Sequence, residues 1–259
     1  MIRRLVAFAA GVGLVAFACR PIPAPADGVL SLSEVNLPSP GVVAGDTLRD
    51  SAGRATPLEL VAYGTNGQPD TSAGAQATFI VLDPGAHVSP DGYVIGDSVR
   101  DTPVRVIGSV GPLQTSPMNL YVTPLPDSLA DTTATPTDTV KFSAADSTAS
   151  ANYSVDLAGM VLATGVIPLA PVQAVVVRYT ILYAPPAVDG SVSAVLVDPS
   201  GLASSVDTSD ASGLVSRRIR VRAQARQAAD SVVVSMSAEY AGVPLRGSPW
   251  TFVIPIIGH

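Results

Sequence analysis

Val175-Val176-Val177-Arg178-Tyr179-Thr180-Ile181-Leu182-Tyr183 places a large apolar side chain at every second position, at Val175, Val177, Tyr179, Ile181 and Tyr183. Val232, Val234, Met236, Ala238 and Tyr240 repeat the pattern in Val232-Val233-Val234-Ser235-Met236-Ser237-Ala238-Glu239-Tyr240. Side chains alternate between the faces of a strand, so each set lies on one face of a sheet. Asn66-Gly67, Asp91-Gly92 and Asp189-Gly190 supply turn pairs that tolerate positive φ. Beyond the first 18 residues, no stretch carries a capped apolar repeat of period 3.6. Short strands separated by frequent turns indicate an all-β chain folded as sandwiches.

The first residues are different. Arg3 and Arg4 precede an unbroken apolar and glycine run, Leu5 to Phe17, which ends in Ala16-Phe17-Ala18-Cys19. A hydrocarbon core needs about 20 helical residues to cross, and this run is shorter. A charged start, a short apolar core and a small-residue end make a secretory signal over residues 1–18.

Composition sets further bounds. Charged residues are 14% of the chain, against about 25% in ordinary domains. Without Arg3 and Arg4, 13 basic residues face 21 acidic ones, a net charge of −8. An acidic chain lacks the clustered positive charge that phosphate backbones require, so nucleic acid is not an expected partner. Cys19 is the only cysteine, so no disulfide can form within one chain. Stability must come from hydrophobic cores, and the length suffices for two.

Two low-complexity segments divide the chain. Arg20 to Asp27 alternates proline with small residues and reads as a semi-rigid spacer within residues 19–28. Pro124 to Thr139 has almost no bulky apolar residue and reads as a linker over 124–139. The expected organisation is a first domain over 29–123 and a second over 140–259. The place of residues 140–166 is open: Tyr153 to Leu157 is a candidate strand, in the second domain or in an extra hairpin.

Four resemblances follow from these residues. Ala16-Phe17-Ala18-Cys19 resembles the lipobox of bacterial lipoproteins, with Ala16 where leucine is usual. That resemblance implies lipidation of Cys19 and a membrane anchor, and Arg20 in the next position implies the outer membrane or cell surface. The other reading is an ordinary signal cut near Ala18. In the first domain, Ala77-Thr78-Phe79, Ala86-His87-Val88-Ser89-Pro90-Asp91-Gly92-Tyr93-Val94 and Val104-Arg105-Val106-Ile107-Gly108 resemble a bacterial immunoglobulin-like module. Phe79 stands where tryptophan is usual. In the second, Asp207-Thr208-Ser209-Asp210-Ala211-Ser212-Gly213 resembles the turn of invasin-type repeats. Gly247-Ser248-Pro249-Trp250-Thr251-Phe252 resembles the closing strand of filamin-type repeats. The implied fold is two immunoglobulin-like β-sandwiches in tandem, with Trp250, Phe252 and Ile254 facing the core.

Catalytic chemistry finds few residues. Nucleophilic triads need a base within hydrogen-bond reach of the nucleophile, and the chain has only His87 and His259. Zinc needs three or four His, Cys or carboxylate ligands. Asp189, Asp198, Asp207 and Asp210 could form an acid–base pair or contribute to a calcium site. All four fall at turns, where aspartate serves the backbone. The expectation is a non-enzyme without cofactor or metal.

One charged feature stands out. Arg218, Arg220 and Arg222 alternate along a strand, with Arg217 and Arg226 nearby, so five arginines fall within ten positions. They form either an exposed strand face paired with acidic neighbours, or a docking face for a protein or an anionic glycan. The leading functional expectation is a lipid-anchored surface protein with a structural, adhesive or stalk role. An accessory subunit that docks through an edge strand, and a carbohydrate-binding module, are the alternatives.

Overall fold

The computed structural model describes residues 28–132, 139–141, 152–163, 170–186, 193–222 and 229–257. The signal and Cys19 lie outside the described residues, as do Asp189, Gly190, Arg226 and His259.

Among the described residues, nearly all the regular structure is β-strand. The first domain contains β1 (Val29–Leu32), β2 (Gly41–Val43), β3 (Ala62–Gly64), β4 (Pro69–Asp70), the one-turn helix α1 (Thr71–Gly74) and β5 (Thr78–Val81). It continues with β6 (Ala86–Val88), β7 (Val94–Gly96), β8 (Val104–Val110), β9 (Leu113–Gln114) and β10 (Met118–Thr123). The second contains β11 (Ser128–Asp131), β12 (Val140–Lys141), β13 (Asn152–Ala163), β14 (Ala170–Pro171), β15 (Val176–Tyr183) and β16 (Ala194–Val197). It ends with β17 (Val206–Thr208), β18 (Leu214–Arg222), β19 (Ala229–Ser237), β20 (Glu239–Tyr240), β21 (Val243–Pro244) and β22 (Trp250–Ile257).

Strand order makes the second domain an immunoglobulin-like sandwich. One sheet runs β11-β13-β18-β16 and the other β12-β22-β19-β15-β17. With β11, β13, β15, β16, β18, β19 and β22 taken as strands A to G, the sheets are ABED and GFC, as in the seven-stranded immunoglobulin type. The alternation explains the core. Val177 and Tyr179 of β15, with Val232, Val234 and Met236 of β19, are buried against Val155, Leu157 and Ile219 of the facing sheet. Tyr179 sits on strand C, and its phenol donates to the Leu157 carbonyl across the sandwich at 3.4 Å. Beyond Ile181 the register shifts and Tyr183 turns outward.

The first domain repeats part of this plan. Its sheet β2-β10-β8-β5 packs on the β6-β7 hairpin around Leu48, Val94, Val104, Val106 and Leu120. A separate β1-β3-β4 sheet covers a smaller cluster around Val29, Leu60 and Ala62. In both domains a short early strand runs parallel to the last one, β2 beside β10 and β12 beside β22.

Two expectations change, and one open alternative is decided. The linker placed at 124–139 is shorter, because Ser128–Asp131 is the outer strand β11. Leu129 is 2% exposed in the second core; a single leucine is enough to anchor a strand where the average composition suggests none. Residues 152–163 are not a separate hairpin but a central strand of the second domain. Trp250 does not join Phe252 and Ile254 in the core: it opens β22 and is 40% exposed, while Phe252, Ile254 and Ile256 are buried.

Candidate functional site at the domain junction

The most built feature outside the cores is where the two domains touch. Asp46 lies in the tight turn after β2, whose backbone is tied to β7 by Gly45 N–H to the Gly96 carbonyl and Gly96 N–H to the Asp46 carbonyl. Arg49 donates to both carboxylate oxygens of Asp46, Nε to Oδ2 at 3.0 Å and Nη2 to Oδ1 at 3.0 Å. Its Nη1 donates to the Gly53 carbonyl at 2.9 Å. One guanidinium therefore fixes both the carboxylate and the next turn, the geometry that makes such pairs specific.

Tyr240 comes from the second domain. It ends β20, which pairs with β21 through a tight turn whose central residues, Ala241 and Gly242, both have positive φ. That turn type matches the twist of a two-stranded hairpin. The Tyr240 phenol donates to Asp46 Oδ2. The Arg49 hydrogen bonds hold the Asp46 carboxyl down at about 2, against the opposing effect of partial burial. Burial first, and then the Asp46 carboxylate, push the Tyr240 phenol up.

Two close backbone approaches complete the contact. The hairpin tip lies on Gly53, where a Cβ would strike the Gly242 nitrogen. A Cβ on Gly41 would meet the Ala174 Cβ at 2.9 Å. Ala174 is held in the left-handed region, φ 61°. Ser209 braces its loop, donating to the Val172 carbonyl at 2.7 Å and accepting from Val175 N–H at 2.9 Å. Between the domains runs a groove of about 400 Å³, whose polar lining includes Arg49, Arg178, Ser235, Ser237 and Glu239. Among the described residues, no histidine or cysteine lines it. Its chemistry suits holding two bodies together.

The residues singled out in the sequence fall elsewhere. Arg218 and Arg220 lie on the outer face of β18, and Arg222 ends that strand. Arg218 is tied to Asp156 on the neighbouring β13, Nε to Oδ1 at 2.6 Å and Nη2 to Oδ2 at 3.1 Å. The guanidinium of Arg220 lies over Gly201. Arg217 does not belong to this face. Strand alternation turns it to the core, where it is 8% exposed and pairs with Asp207 at 3.0 Å.

Asp198 and Asp210 serve turns. Asp198 accepts from the Ser200 hydroxyl and Leu202 N–H, and Asp210 from the Ser212 hydroxyl and the N–H groups of Ser212 and Leu214. Those hydroxyl bonds, first among the causes, lower both carboxyls. His87 is exposed and meets Asp97, Nδ1 to Oδ1 at 2.8 Å. Among the described residues, no group of three His, Cys, Asp or Glu could hold a metal ion. Among them, too, no helix is long and apolar enough to cross a membrane.

Asp46, Arg49 and Gly53 carried no signal in the sequence. Tyr240 did, but as the fifth member of an alternating core set rather than as a contact between domains.

No protein-family model matches the chain, and no curated protein matches it. Among solved structures it is similar to the adhesin InvE of Yersinia pseudotuberculosis, at 13% identity and a TM-score of 0.37. That match covers 90% of this chain and 61% of the adhesin. It is also similar to domains 1–6 of the surface-layer protein SbsC, at 15% identity and a TM-score of 0.30, covering 89% of this chain and 28% of that one. A β-glucuronidase of glycoside hydrolase family 2 matches at 12% identity and a TM-score of 0.30, over 89% of this chain and 20% of the enzyme. The chain thus spans less than two thirds of each.

Proposed function

We propose that this is a non-catalytic protein of the cell surface, anchored through Cys19, in which two sandwiches act as one stiff structural or adhesive unit. The observation that carries this reading is the junction. Tyr240 on Asp46, with the hairpin tip seated on Gly53, joins residues far apart in sequence into one contact. Interfaces between domains of one chain permit relative motion by default, so holding these two fixed falls to specific contacts such as this one. A stalk needs that motion suppressed, and a carboxylate clamped by Arg49 supplies a fixed acceptor for the second domain. The groove beside it offers hydroxyls and charges and, among the described residues, no histidine or cysteine.

The test pairs solution scattering with cell fractionation. Wild-type protein should scatter as one rigid shape, and Tyr240→Phe should broaden the distance distribution. Wild-type protein should partition with membranes, and Cys19→Ala should release it. A cell lacking the protein should lose attachment or envelope integrity, restored by wild type and only weakly by Tyr240→Phe. A flexible wild type, or full rescue by a variant shown to be flexible, would overturn the stiff-unit reading.

A further inference from the structure

Among the described residues, the edge of β5 is left open in a way that the edges of β11 and β16 are not. Leu82 N–H donates to the Arg105 carbonyl, and Gly108 faces away from β5 to accept from Thr115 N–H. The register Ile80 with Ile107 and Thr78 with Ser109 then assigns the ladder bonds to Thr78 and Ile80. The backbone N–H and C=O of Phe79 and Val81 therefore point outward, along the free edge. On the other two strands such groups are covered. Leu129 N–H of β11 donates to the Arg246 carbonyl, and the Leu196 carbonyl of β16 accepts from Ser204 N–H.

The exposed edge also lacks the usual protection. Thr78-Phe79-Ile80-Val81-Leu82 contains no charge and no proline, the devices by which edge strands resist pairing. Ile80 is 49% and Leu82 44% exposed on its outer side. Phe79 and Val81 are half-buried against the core on the inner side.

Beside this edge lies a groove of about 1270 Å³, floored by Leu58, Leu60 and Phe79. Glu59, Asp70 and Asp91 line it and, among the described residues, no lysine or arginine does. An apolar floor, an acidic rim and a row of outward backbone groups together fit an extended chain, which takes affinity from main-chain bonds and specificity from alternate side chains.

We propose that β5 accepts a strand from a protein partner: an extended segment of alternating apolar and basic residues, its backbone paired with Phe79 and Val81 and its basic groups over Glu59, Asp70 and Asp91. The proposal does not depend on the stiff-unit reading, because the groove lies wholly within the first domain.

Two capped eight-residue peptides, alternating valine–lysine and valine–glutamate, serve as probes against the full mature chain. The lysine peptide should bind saturably below about 1 mM and slow amide exchange at Phe79 and Val81. Val81→Pro removes an outward N–H without touching the β8 ladder and should weaken binding about tenfold or more, as one lost anchor of roughly 1.4 kcal/mol would. Ile80→Lys, which adds a repelling charge on the outer face, should do likewise and replaces the proline variant if that one melts early. Equal binding of the glutamate peptide, undiminished binding by the folded variants, protection at other amides, or no saturation would each overturn the proposal. Wild-type dimers protected at the same amides without peptide would assign the edge to a second copy, and overturn it too.

Discussion

The phenol of Tyr240 donates a hydrogen bond to the carboxylate of Asp46, a residue 194 positions earlier in the chain and in the other domain. Arg49 holds the same carboxylate through both of its oxygens. The bond thus reports directly on whether the two sandwiches are docked.

Acid should release the junction in a defined window. The Asp46 carboxyl lies at about 2 in the folded chain, below its ordinary 3.8. A depressed carboxyl contributes stability above its unfolded value, and that stability disappears as pH falls through the folded one. Tyr240 fluorescence, or interdomain distances by scattering, should hold down to about pH 4 and change between about pH 4 and 2. Asp46→Asn should abolish this transition. At neutral pH it should cost about 1 kcal/mol, discounted for the partial exposure of the site.

Gly53→Ala should open the junction without unfolding either core. Gly53 has φ 77°, and its new Cβ would strike the Gly242 backbone. The left-handed conformation alone costs a non-glycine residue about 1–2 kcal/mol. The expected result is a broadened interdomain distance distribution with native circular dichroism. Gly242→Ala, whose Cβ meets open space, should show the backbone strain but a smaller opening.

The buried pair of Arg217 and Asp207 should respond asymmetrically. Asp207→Ala leaves a guanidinium in the core without its counter-charge, which costs about 3 kcal/mol or more. Arg217→Met fills similar space without charge, and the double variant should recover most of the loss. Chemical denaturation of the second domain, read by near-ultraviolet circular dichroism, measures all three. Arg218→Ser, by contrast, breaks only an exposed pair with Asp156 and should change stability by less than about 1 kcal/mol.

Leu129→Ala tests whether Ser128–Asp131 is a strand or a linker. Leu129 is buried among Val161 and other residues of the second core. Truncating such a leucine costs about 2–5 kcal/mol. The second domain should melt earlier while the first is unchanged. A melt identical to wild type would return the segment to the linker.

Much of the architecture was legible because sheets have a period of two. The sets around Tyr179 and Val234 needed only alternation to be assigned to a face, and they form the second core. The same rule separates Arg217 from Arg218, since neighbours on a strand must point to opposite sides. The short strands were harder. Ser128–Asp131 carries a single large apolar residue, and nothing local distinguishes it from the polar segment that follows. Trp250 has the parity of a core residue, yet it opens its strand and is exposed, which alternation alone does not reveal.

By itself, the sequence determined the all-β character, the strands around Tyr179 and Val234 and the turns at Gly67 and Gly92, because these follow from local periodicity and backbone sterics. Only the tertiary structure decided the pairing of Tyr240 with Asp46, the seating of Gly242 on Gly53, the burial of Arg217 and the open edge of β5. Each depends on which backbone lies beside which across long separations in the chain, and no local rule of propensity or period carries that information.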